Sequence, residues 1–105
     1  MTEAILKFAS DHPCGAGHFP GNPIIPGALL LDGALAAIAE QQDAGGGVWQ
    51  VKSAKFPQPV RPGDTVRIEY TQTPAGEIRF ECSVTGVKVL SGTAIRRPPA
   101  EVDAP

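Results

Sequence analysis

The chain is short of the features that mark several large protein classes. It holds two cysteines, Cys14 and Cys82, too few for the disulfide framework that staples small secreted domains. Basic residues number nine against eleven acidic ones, and no basic run exceeds Arg96-Arg97, so nucleic acid is not an expected partner. Long apolar runs are missing as well. The longest stretch, Ile24 to Ala39, is interrupted by Pro26, Gly27, Asp32 and Gly33 and is too short to span a bilayer, so no membrane association is expected. Met1 to Phe8 carries Glu3 and Lys7 around no apolar core, so no signal peptide is expected and a cytoplasmic location is the default. There is no internal repeat. What remains is a chain of 105 residues that is 42% hydrophobic, enough for one globular domain. The sequence places that domain at residues 1–97. Beyond Pro98-Pro99, a polar stretch to Pro105 is expected to be a disordered tail.

Proline and glycine divide the chain. Ala4 to Ala9 is a candidate short strand. Ser10 to Pro26 reads as a loop, with Pro13, Pro20, Pro23 and Pro26 among Gly15, Gly17 and Gly21. From Gly27 the composition turns to alanine and leucine, a run of strong helix propensity to Ala39, with Pro26 suited to the first helical turn. Glu40 to Asp43 return the chain to water, and Gly45-Gly46-Gly47 stops the helix. Four strands follow: Val48 to Phe56, Thr65 to Thr73, Glu77 to Thr85 and Val87 to Ile95. The third of these alternates most clearly, with Ile78, Phe80, Cys82 and Val84 opposed to Arg79, Glu81, Ser83 and Thr85.

The helix decides the architecture. It has no polar stripe, and a helix apolar all round must be buried on nearly all sides. The strands after it are each half apolar. An α+β arrangement satisfies both, with one curved antiparallel sheet wrapped around one central buried helix. Such a helix holds a single charge, Asp32, and an unpaired buried carboxylate needs partners or a raised pKa.

Asp32 closes an unusual string: Gly17-His18-Phe19-Pro20-Gly21-Asn22-Pro23-Ile24-Ile25-Pro26-Gly27-Ala28-Leu29-Leu30-Leu31-Asp32. This string resembles the signature of the (3R)-hydroxyacyl-carrier-protein dehydratases of type II fatty-acid synthesis. It also resembles the smaller dehydratase-like proteins of aryl-polyene pathways. Both have the hotdog fold. The likeness continues through Lys55-Phe56, Pro59-Val60 and Pro62-Gly63-Asp64, to about Ile95. It implies dehydration of a 3-hydroxyacyl thioester, linked to acyl carrier protein or coenzyme A, to the trans-2-enoyl thioester.

The residue types suit that chemistry. A base of near-neutral pKa, His18, fits removal of the C2 proton. The Asp32 carboxyl could supply or orient a proton for the leaving hydroxyl. The first backbone N–H groups of the helix, at Gly27 and Ala28, lack intrahelical partners and lie at its positive end, where charge develops on the thioester oxygen. Gly27 also lets a substrate approach the backbone closely. The resemblance further implies that Phe19 orders the His18 loop and that Pro26 starts the helix; Leu29, Leu30, Leu31 and Leu35 are expected to serve mostly as packing, with some of them, Leu31 first, lining an acyl channel. In the family the His and the acidic residue of one site come from different subunits, so a homodimer or higher homo-oligomer is expected. No cofactor is implied. Asp11, His12 and Cys14 match no zinc spacing, so no metal is expected either. Two readings compete with dehydration: an acyl thioesterase, which the fold also hosts, and a non-catalytic acyl-binding or partner subunit.

Overall fold

The computed structural model describes residues 2–9, 24–42 and 48–97. In chain order they form β1 (Thr2–Lys7), α1 (Gly27–Gln41), β2 (Val48–Lys55), β3 (Thr65–Gln72), β4 (Glu77–Val84) and β5 (Val87–Arg97). The strands make one five-stranded sheet in the order β1-β3-β4-β5-β2, with every neighbouring pair antiparallel. The first strand lies two residues earlier than the sequence suggests. Phe8, past its end, is buried, and its N–H and carbonyl bond Asp64 O and Gly63 N at the turn before β3.

Period-two alternation sorts the sheet into two faces. Val66, Ile68 and Tyr70 on β3 and Ile78, Phe80 and Cys82 on β4 point inward and are buried. Arg67 and Glu69 lie on the other face, where Arg67 pairs with both Glu3 and Glu69. The inward side chains form one cluster with Leu30, Ala34, Leu35 and Ile38 of α1. The helix needs this seat. It has no side-chain cap, no acid in its first turn and no base in its last. A missing cap costs about 1 kcal/mol, whereas the buried side chains of Leu30, Leu35 and Ile38 contribute roughly 1.5–3 kcal/mol each, so packing sets its stability.

Pro26 stands at the N-cap, just before the first turn rather than within it, with φ −56° and ψ 142°. Its carbonyl accepts from the N–H groups of Leu29 and Leu30. The expectation that the helix is covered on nearly all sides is corrected in one respect. Ala28, Asp32, Ala36 and Glu40 are exposed. They recur every four residues and so share one face. One sheet covers one side of a helix, and within a single chain nothing described covers the other.

Candidate functional site

Two features meet at the start of α1. The first is the end of the helix itself. The N–H groups of Gly27 and Ala28 precede the first intrahelical hydrogen bond and carry the positive end of the helix dipole. The second is an apolar cleft of about 270 Å³ beside it, bounded by Ile24, Ile25, Gly27 and Leu30 on one side and by the 56–60 segment on the other. These sides are tied together by an antiparallel bridge, in which Ile25 N–H donates to Val60 O at 2.7 Å.

Phe56 closes the cleft over the helix. A Cβ built on Gly27 would lie 3.2 Å from Phe56 Cε1 and 3.3 Å from Cδ1 and Cζ, so the ring is packed directly on the Gly27 α-carbon. Only a residue without a side chain permits this contact without displacement. In the sequence Phe56 stands only in the Lys55-Phe56 pair of the family likeness, with no role attached. The available signal was an aromatic between a strand end and Pro57, downstream of a helix that opens on glycine.

Asp32 lies on the exposed face of α1, five residues beyond Gly27 and therefore about 7.5 Å further along the axis. Among the described residues it has no hydrogen bond or ion pair, so its carboxylate faces outward from this chain. Leu31 is partly buried and packs at the margin of the core. His18 and Phe19 lie outside the described residues, as do Asp11, His12 and Cys14. Among the described residues no three His, Cys, Asp or Glu side chains cluster as a metal site. Nor is any described helix long and apolar enough to cross a membrane. Gly33, which interrupts the apolar run of the helix, serves close packing. A Cβ there would come within 2.9 Å of Leu6 Cδ2 on β1.

A five-stranded antiparallel sheet cupping one helix defines a hotdog-fold protein, and solved structures agree. The chain superposes on an uncharacterised protein from Erwinia carotovora subsp. atroseptica with TM-score 0.75 and 25% identity, covering 93% of this chain and 83% of the other. A chain of the dehydratase heterocomplex ApeI:P from Xenorhabdus doucetiae gives TM-score 0.72 at 21% identity, covering 90% and 84%. Residues 1–93 match the family described as ApeI-like, ApeI dehydratase, and the chain belongs to that family. Among curated relatives, the 3-hydroxyacyl-acyl-carrier-protein dehydratase FabZ of Chloroflexus aggregans is 44% identical over 68 residues, 58% of this chain and 47% of that protein. The chain spans about half the length of that relative.

Proposed function

We propose that the chain dehydrates a 3-hydroxyacyl thioester to the trans-2-enoyl thioester, with acyl carrier protein or coenzyme A as the carrier. The observation that carries this reading is the carboxylate of Asp32 on the exposed face of α1, about 7.5 Å along the axis from the helix start, where the N–H groups of Gly27 and Ala28 have no partner among the described residues. Family membership and the FabZ relative support it. His18 takes the C2 proton as the base. The electron pair of that C–H bond forms the C2–C3 double bond as hydroxide leaves C3. Asp32 protonates the leaving oxygen, so water departs. Proton transfer from His18 then restores both groups. The N–H groups of Gly27 and Ala28 hold the thioester oxygen while it carries enolate-like charge, and removing such a donor costs roughly 3 kcal/mol of barrier.

The reading includes a homodimer in the cytoplasm. A partner seated on the exposed face of α1 brings its own His18 to Asp32 and excludes water from both. The heterocomplex ApeI:P shows that a relative by fold assembles with a non-identical subunit, and a mixed assembly is the variant of this reading to test.

The test is mass spectrometry of 3-hydroxyacyl thioesters incubated with wild type, His18→Ala and Asp32→Asn. Wild type is expected to remove one water, and each variant to be slower by roughly a hundredfold or more. No water loss by wild type across chain lengths and both carriers overturns the proposal. Release of free thiol would then assign a thioesterase, and unchanged substrate a binding or partner subunit.

A further inference from the structure

We infer that Phe56 determines which acyl groups reach the N-terminal end of α1, an assignment that rests on the thioester reading above. The cleft beside Gly27 is lined by apolar side chains and prolines with Gln58, and among the described residues no charged one lines it. It therefore fits a hydrocarbon segment rather than a charged head group. Its polar end is the first turn of α1, where the N–H groups suit a carbonyl oxygen. An acyl thioester has this polarity, with a carbonyl at one end of a carbon chain.

Phe56 holds the place where those two parts join. Its ring lies on the Gly27 α-carbon at 3.2–3.3 Å from where a Cβ would sit, yet 44% of the residue is exposed. The ring is thus fixed on one side and open on the other, and it forms a wall of the cleft instead of part of the core. The segment behind it carries Pro57 and Pro59 and is tied to the chain before α1 by the Ile25–Val60 bridge, which limits how far its backbone can move. At about 270 Å³ the cleft lies just below the range typical of drug-sized ligand sites, so its volume suits a short acyl segment. Removing the ring extends the space along the helix start and admits a longer or bulkier chain.

The experiment compares wild type, Phe56→Ala and Phe56→Leu. Calorimetry measures binding of saturated acyl-coenzyme A thioesters with about four to about twelve carbons, and turnover of the 3-hydroxy counterparts is followed in parallel. In Phe56→Ala the preference for short over long chains is expected to fall about tenfold, the scale at which an apolar pocket discriminates by size, with Phe56→Leu intermediate. Because the ring is half exposed, the melting temperature is expected to change little, which separates a specificity role from a structural one. Binding by all three proteins with an unchanged chain-length profile overturns the role of Phe56 and leaves the dehydratase reading standing. Water loss by wild type with no chain-length dependence does the same. No binding of any acyl chain by wild type overturns the assignment of the cleft itself, while turnover of the 3-hydroxy substrates separately decides the dehydratase reading.

Discussion

A methyl group at Gly92 would collide with the backbone oxygen of Ser53 on the neighbouring strand and lie 2.8 Å from Phe80 Cζ, in a core where Phe80 is 2% exposed. Neither neighbour can move cheaply, since one is sheet backbone and the other a buried ring. Gly92→Ala is expected to destabilise by about 3 kcal/mol, read from denaturant unfolding. The contact at Gly33, at 2.9 Å, is less close and different in kind, because Leu6 Cδ2 is the free end of a flexible, partly buried side chain. The helix gains about 1 kcal/mol when glycine becomes alanine, so Gly33→Ala is expected to fall within about 1 kcal/mol of wild type. Cys82 supplies a pH dependence. Burial pushes its thiol up to about 12 from an ordinary 9.0. The unfolded chain gives up this proton first, so the contribution is complete below pH 9.0 and is lost as pH rises toward about 12. Thiol-directed alkylation of Cys82 in the native protein should accordingly be much slower than in urea, and equal rates would place the thiol outside the core.

The β4–β5 hairpin turns on two residues, Thr85 and Gly86, both with positive φ, at 46° and 84°. Gly86 adopts this freely, whereas Thr85 is β-branched and held there against its preference. Thr85→Asn is expected to raise stability by up to about 1 kcal/mol in thermal unfolding. At one edge of the sheet, Glu3 on β1 is bound to Arg67 on β3, and the guanidinium holds the Glu3 carboxyl below its usual range. What this pair contributes is present at neutral pH and lost as pH falls through the lowered value, and solvent screening of the exposed pair keeps it small.

The strands of the hairpin and of β3 were legible because their alternation is regular and their turns carry Gly63, Gly76 and Gly86. The helix was legible from alanine and leucine. Its exposed face was not, because alanine is compatible with both core and surface, and Ala28 and Ala36 carry no sign of which they are. The motif named Asp32, Gly27 and Ala28 as neighbours along one helix. It did not show the Phe56 contact, which joins residues 29 positions apart through a sheet edge and a proline turn.

For the whole molecule, the face bearing Ala28, Asp32 and Ala36 and the outer edge strand β2, with Val48 49% and Val51 40% exposed, are surfaces one chain leaves to water. If a second copy covers the helix face, a long charge there separates the subunits without touching the core. Ala36→Arg is expected to shift the protein from dimer to monomer in analytical ultracentrifugation, with circular dichroism unchanged and turnover lost. A wild type that sediments as a monomer in the active state would remove the shared-site reading. Finally, the bridge between Ile25 and Val60 makes the cleft a latch in which the Ile25 N–H is held by the Val60 carbonyl. The Ile25 amide can exchange its proton for deuterium only when that latch opens, so its exchange rate is a clock for cleft opening, slowed by any occupant that holds the two sides together.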